Sequence, residues 1–112
     1  MTTNEHEVIF AIVNAGYAED AMEVAREHGA RGGTIIHGRG VAQEKDAAFF
    51  GITIHADKEL LMMVVEKDIR DQVFHALYKQ MGMQKKAQGI VFSLPVSHVA
   101  GLAKPQPEEI QE

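Results

Sequence analysis

The sequence predicts an α+β fold in which two β-α-β units share one four-stranded antiparallel sheet, with both helices on the same face. Three observations support this prediction. Four short runs rich in apolar and β-branched residues alternate with two helical stripes. A long connection at residues 39–58 separates the two units, and a chain of 112 residues leaves little room for a second core.

The first unit begins with the apolar run at residues 8–13, which is typical of a strand covered on both faces. Residues 14–16 break this strand. A helix follows, because small and apolar side chains recur at helical spacing on Ala18, Ala21, Met22 and Ala25. Gly29 is expected to end the helix, and residues 33–38 form the second strand.

The second unit has the same order. Residues 59–66 form a strand, and Asp68 is expected to cap the helix that follows. The apolar stripe of this helix consists of Ile69, Val73, Leu77 and Met81. Gly82 ends the helix, and residues 89–96 form the last strand. Pro95 lacks an N–H donor, so its end of the strand should be unpaired or at an edge of the sheet.

Two such units in one short chain predict a ferredoxin-like βαββαβ domain over residues 1–102, followed by a polar tail at 103–112. Residues 97–102 could add one more short element. The helices can cover only one side of the sheet, yet residues 60–65 are apolar at successive positions. The second face is therefore expected to pack on other subunits, most simply in a closed ring.

Composition excludes several classes of function. The formal charge of −5 argues against nucleic-acid binding, and the absence of cysteine excludes disulfides, thiolate metal sites and a catalytic thiol. The N-terminus does not resemble a signal peptide, and no apolar run could span a bilayer. We expect a cytoplasmic protein that is not membrane-inserted. No pattern of nucleophile and base stands out, so no catalytic residues are assigned and no enzyme is expected.

The segment at residues 29–40 is the most unusual stretch, with five glycines and two arginines in twelve residues. Glycines let a ligand approach the backbone, and arginines donate to phosphate or carboxylate. The same glycines also fit ordinary turns at the ends of a helix and strands. The pattern is neither a P-loop nor a dinucleotide fingerprint, because its glycines flank a strand instead of opening a helix.

Three further features leave alternatives open. Phe49 and Phe50 in the long connection could anchor a partner or fold on the core as a lid. Lys85 and Lys86 read as a solvated turn, unless that turn faces Arg39 and Lys58. No pair among the six histidines has helical metal-ligand spacing, and no metal site is assigned.

Together these segments resemble the PII signal-transduction proteins, in particular the divergent PII-like branch, over about residues 8–102. The segment 29–40 is similar to the family's second strand leading into its T-loop. The strand at 90–96 looks like the family's last core strand. Residues 82–89 and 97–112 take the places of its B-loop and C-loop.

The resemblance implies a homotrimer that binds an adenine nucleotide (ATP, ADP or AMP) or another nucleotide in clefts between subunits. It implies that residues 39–58 dock onto a regulated partner, such as a membrane transporter, an enzyme or a transcription factor. The residues carried over by position, together with those flanking the loop, form the candidate binding set: Gly33, Thr34, His37, Gly38, Arg39, Gly40, Gln43, Lys58, Lys85, Lys86 and Gly89. Thr34 would contact the adenine, and the lysines would hold phosphate.

The sequence departs from the family pattern in three places. The B-loop lacks Gly-Asp-Gly-Lys, the C-loop offers only Lys104 and no arginine, and the long loop has no tyrosine for uridylylation. These departures weigh against 2-oxoglutarate as a ligand. The alternative is a metal-responsive protein like the CutA relatives, which share the trimeric fold, with His37 and His55 at the base of the loop.

Overall fold

A computed structural model of the protein describes residues 2–41 and 56–102. The elements in chain order are β1 (Thr2–Asn14), α1 (Ala18–Glu27), β2 (Thr34–Arg39), β3 (Asp57–Glu66), α2 (Arg70–Met81) and β4 (Ile90–Val99). A short 3-10 turn, Lys67–Ile69, precedes α2. Several residues discussed above lie outside the described residues, namely Gln43, Phe49, Phe50, His55 and Lys104, as does the tail at 103–112.

The four strands form one sheet in the order β2-β3-β1-β4, and every neighbouring pair is antiparallel. This arrangement confirms the predicted βαββαβ fold. The two inner strands, β1 and β3, come from different β-α-β units, so the sheet cannot form until both units are present. Because β4 is an edge strand, the lost donor of Pro95 is tolerated there, as predicted.

Both helices pack on one face of the sheet, where they bury alternate residues of the inner strands. The fully buried side chains include Ile9, Leu61, Met63 and Leu77. The predicted stripe of α1 is confirmed, because Ala18, Ala21, Met22 and Ala25 are all buried. In α2 the predicted Val73, Leu77 and Met81 are buried, whereas Ile69 lies in the 3-10 turn before the helix and is only partly buried against the core. Gly29 has a φ of +109°, so the end of α1 takes the left-handed conformation that favours glycine.

The opposite face of the sheet is also apolar, and neither of the two helices in residues 2–41 and 56–102 packs against it. Phe10 of β1 stacks on Phe92 of β4, with ring centroids 5.0 Å apart and an interplanar angle of 19°. Around this pair, Ile90 is 56% exposed and Leu94 is 51% exposed. The expectation of strands with two apolar faces is therefore confirmed for β1, β3 and β4. We call this surface the open face.

The structure corrects two details of the sequence analysis. Asp68 does not cap α2: it lies in the 3-10 turn, and the residue that precedes the helix is Ile69, which makes no side-chain cap. Residues 97–99 do not form a separate element. They extend β4, whose Val99 lies opposite Thr2 at the start of β1. The polar start of β1 gives no apolar signal, so only its pairing with β4 identifies it as strand.

Candidate ligand-binding site at one end of the sheet

A single buried side chain, Asn14 at the end of β1, organises one end of the sheet. Asn14 is only 5% exposed. The Nδ2 atom donates to the carbonyl oxygen of Lys86 at 2.9 Å and to Oε1 of Gln88 at 3.2 Å. The Oδ1 atom accepts from Nζ of Lys58 at 2.7 Å. Asn14 therefore joins the turn before β4 to Lys58, at the base of the long connection.

Lys58 is positioned by the ladder, where it lies opposite Asn14 on one side and Gly38 on the other. Partial burial lowers the pKa of its ammonium group, because removal from water disfavours the charged form. Its stem runs past Gly40, where a Cβ atom would lie 3.1 Å from Cε and 3.2 Å from Cγ of Lys58. Gly40 also donates its backbone N–H to the carbonyl oxygen of Ala56 at 2.6 Å, which closes the base of the connection.

The turn between α2 and β4 is held by its own backbone. Lys85 donates to the carbonyl oxygen of Gly82 at 2.9 Å, and Gln88 donates to that of Lys85 at 3.0 Å. Gln88 has a φ of +49°, the only positive φ at a non-glycine residue among the residues that the structure describes. The side chains of Lys85 and Lys86 are exposed. Two ammonium groups thus face solvent on a turn that is anchored, through Asn14, beside Lys58.

A second polar contact at this end of the fold is made by Glu59 of β3, beside His37 of β2. Glu59, opposite His37 in the ladder, is mostly buried. Its Oε1 accepts from the backbone N–H of Ala18 at 3.0 Å, and its Oε2 lies 3.6 Å from Nδ1 of the exposed His37. The residue before α1, Tyr17, makes no side-chain cap. The carboxylate of Glu59 therefore supplies the cap from a distant strand, where negative charge complements the helix dipole.

The structure separates the predicted binding residues into two groups. Gly38, Gly40 and Lys58 lie at one end of the β2-β3 pair, and Asn14 links Lys58 to the backbone carbonyl of Lys86. That the exposed side chains of Lys85 and Lys86 face Arg39 and Lys58 stays a prediction. Arg39 lies opposite Asp57 at the same end. Thr34 lies four residues from Gly38 along β2, about 13 Å away at the usual rise of a strand.

Two of the predicted glycines have a packing role in the folded chain. A Cβ on Gly33 would lie 2.9 Å from both Cδ1 of Leu61 and the carbonyl oxygen of Met62. A Cβ on Gly89 would collide with the carbonyl oxygen of Met81. Both positions therefore require glycine whether or not a ligand approaches. At Gly38, by contrast, a Cβ would meet nothing within 4 Å.

Asn14 and Glu59 are site residues that the sequence does not indicate. Residues 14–16 read as a strand break, and Glu59 as an ordinary strand residue. Their hydrogen-bond partners lie far away in the chain: 72 residues separate Asn14 from Lys86, and 41 separate Glu59 from Ala18. A local pattern carries no signal for such contacts.

Within residues 2–41 and 56–102, no three side chains of His, Cys, Asp or Glu are grouped to hold a metal ion. The metal alternative with His37 and His55 remains a prediction, since His55 lies outside that part of the chain. Among the same described residues, neither helix has the length and apolar character needed to cross a bilayer.

Comparisons with known proteins agree with this architecture. The sequence matches the family described as nitrogen regulatory protein P-II over residues 6–104. No curated protein matches it significantly. Among solved structures, Arabidopsis thaliana PII bound to citrate superposes with a TM-score of 0.62 at 22% identity, covering 84% of this chain and 77% of that one.

Two bacterial structures are similar to a comparable degree. The complex of B. subtilis GlnK with ATP gives a TM-score of 0.59 at 17% identity, covering 87% of this chain and 86% of that one. A PII-like signalling protein of Thermus thermophilus gives a TM-score of 0.60 at 15% identity, covering 87% of this chain and 94% of that one. At such identities the superpositions establish the fold, whereas the family match spans most of the sequence. The chain belongs to the nitrogen regulatory protein P-II family, a family of signalling proteins.

Proposed function

We propose that this protein is a cytoplasmic, non-catalytic homotrimeric regulator that binds an adenine nucleotide in clefts between subunits. In this proposal residues 39–58 then control a partner protein, such as a membrane transporter or an enzyme. The observation that carries the proposal is the placement of Lys58 beside the turn of Lys85 and Lys86, at the base of the long connection. An anion bound there would lie near Lys58, at the base of the connection.

The open face supports the proposed assembly. Apolar side chains on three strands, including the stacked Phe10 and Phe92, have no covering layer among the residues that the structure describes. Apolar patches of this kind usually mark interaction surfaces. A closed ring would cover the same patch on every copy, which a symmetric trimer requires. Membership of the P-II family supports the same arrangement.

The location of the cleft follows from the distance between the two groups of predicted residues. Thr34 is about 13 Å from Gly38 along the same strand, so it lies away from the end of the sheet at which Asn14 meets Lys58 and the backbone of Lys86. We therefore place Thr34 and Gly33 of one subunit against the lysine cluster, Lys85 and Lys86, of the next. The site is complete only in the assembly.

The effector is expected to be a multiply charged anion. Lys58, Lys85, Lys86 and Arg39 all lie at this end of the sheet, and charge-assisted hydrogen bonds to phosphate or carboxylate are the strong ones. Two of the similar structures contain anions of this class, ATP in B. subtilis GlnK and citrate in Arabidopsis PII. We favour ATP, ADP or AMP, with 2-oxoglutarate the less supported ligand.

Isothermal titration calorimetry with ATP, ADP, AMP and cyclic dinucleotides tests the effector. We expect heat with at least one adenine nucleotide, and a loss of affinity of about tenfold or more in the Lys85→Ala, Lys86→Ala double variant. The matched control is Arg26→Ala with Lys67→Ala, which removes the same charge from exposed positions elsewhere. Absence of heat with every nucleotide rejects the nucleotide, and heat with citrate alone would identify a carboxylate effector.

A separate experiment tests the regulatory loop. Phe49→Ala with Phe50→Ala should abolish retention of a protein partner in a pull-down, while light scattering still gives the trimer mass. Retention equal to that of the unsubstituted protein would show that these side chains do not anchor the partner.

A further inference from the structure

We propose that Asn14 is a positioning residue that couples the turn of Lys85 and Lys86 to Lys58 at the base of the long connection. The inference rests on the proposed function, because it assigns to Asn14 the transmission of ligand occupancy from the turn to the loop. Asn14 itself need not touch the ligand. It acts through the placement of Lys58.

The contacts of Asn14 run in both directions. Toward the turn, its Nδ2 donates to the carbonyl oxygen of Lys86 and to the side chain of Gln88, and its backbone N–H donates to the carbonyl oxygen of Ala87 at 2.8 Å. Toward the loop, its Oδ1 accepts from Nζ of Lys58 at 2.7 Å. One planar amide therefore fixes the relative position of two segments that are remote in sequence.

The chemistry of an amide suits this role. Asparagine offers two donors and an acceptor on one short side chain, and all three functions are used here. An aspartate could accept from Lys58 but could not donate to Lys86, and an alanine could do neither. Since Asn14 is almost fully buried, water cannot replace the lost partners cheaply.

The turn between α2 and β4 contains a strained backbone conformation that Asn14 helps to hold. Gln88 is held at a φ of +49°, a conformation that costs energy for a residue with a side chain, and the Nδ2 of Asn14 bonds the side chain of that residue. A ligand phosphate that draws Lys85 and Lys86 together acts on the same short turn. Any resulting shift of the Lys86 carbonyl moves the side chain of Asn14, and this in turn moves the ammonium group of Lys58.

The first test uses the ligand-free protein and so does not depend on the proposed function. Lys58→Met should change the backbone amide NMR shifts of Ala87 and Gln88 in the presence of Asn14. The same substitution should leave them unchanged in an Asn14→Ala background. The coupling is overturned if Lys58→Met changes these amide shifts equally in both backgrounds. It is also overturned if the substitution changes them in neither background.

The second test uses ATP as the probe in a double-mutant cycle. If Asn14 acts through Lys58, Asn14→Ala and Lys58→Met each weaken ATP binding by a similar factor, and the double variant is no weaker than the worse single one. Multiplication of the two losses would show that the residues act independently and would overturn the proposal. Gln80→Ala, which removes an exposed amide on α2, should leave the affinity unchanged.

A third variant guards against failure to fold. Asn14→Asp keeps the size and the acceptor but loses the donor to Lys86. It should retain the Lys58 contact and still lose the transmission to Ala87 and Gln88. If ATP produces no binding in any variant, the proposed nucleotide function fails, whereas the NMR comparison alone still decides the role of Asn14.

Discussion

Two glycines of the candidate site, Gly33 and Gly38, are expected to respond oppositely to the same substitution. An alanine Cβ at Gly33 would lie 2.9 Å from Cδ1 of Leu61 and 2.9 Å from the carbonyl oxygen of Met62. The leucine methyl group can rotate away, but the carbonyl belongs to the backbone of β3 and cannot. Overpacking of this kind costs about 1–3 kcal/mol of the free energy of unfolding.

Gly38 provides the matched control, since it lies in β2, which begins at the residue after Gly33. A Cβ there would meet nothing within 4 Å, and its backbone has no positive φ. Replacing glycine by alanine at such a position reduces the entropy of the unfolded chain and stabilises the fold by up to about 1 kcal/mol. The two variants should therefore differ by about 1–4 kcal/mol, most of it from the clash.

Urea denaturation at a fixed protein concentration measures the difference. With a typical slope for a small domain, the midpoint of Gly33→Ala should fall about 1 M below that of Gly38→Ala. Calorimetry with ATP on the folded variants then separates packing from ligand contact. Equal midpoints would refute the argument, because they would mean that the chain makes room for the Cβ at Gly33 without cost.

Three further outcomes are expected. Leu77→Ala, in the fully buried core, should lower the free energy of unfolding by about 2–5 kcal/mol, as measured by urea titration. Tyr78→Ala, at the exposed neighbouring position, is the control and should change it little. Phe92→Glu on the open face should reduce the mass in light scattering from trimer to monomer without loss of the circular dichroism signal. A trimer that persists in this variant contradicts the prediction. Tyr78→Glu, at an exposed position on α2, is the control. Because burial lowers the pKa of Lys58 below 10.5, the unfolded chain binds more protons between the folded and the unfolded pKa. Stability should therefore rise with pH through that window, and the rise should be smaller in Lys58→Met.

The fold was largely predictable because its signals are local. The apolar run at 8–13, the helical stripe of Ala18 to Ala25 and the stop at Gly29 each depend on residues a few positions apart, and all three agree with the structure. The first residues of β1 were not predictable in this way. They are polar, and only their pairing with the end of β4 makes them strand.

The candidate site was only partly predictable. Lys58 and Lys86 could be singled out as cations, but only the tertiary contacts of Asn14 join Lys58 to the backbone of Lys86. The cap of α1 illustrates the same limit. Asp68 was assigned as a cap from its position before α2, yet the side-chain cap that the structure contains comes from Glu59 to α1, across 41 residues. Local rules identify which residues can cap or bind, and the sheet register decides which of them do.

The separation of Thr34 from the lysine cluster has a thermodynamic consequence for the proposed mechanism. If one subunit supplies Thr34 and the next supplies Lys85 and Lys86, a ligand that touches both binds the assembled protein better than the single chain. Binding and assembly are then linked, so the ligand strengthens the trimer by the same factor by which the trimer strengthens ligand binding. Asn14 extends this linkage within each subunit, because it joins the lysine turn to Lys58 and so to the base of the connection. Ligand occupancy, subunit contact and loop position would therefore change together in this arrangement, as a regulator requires.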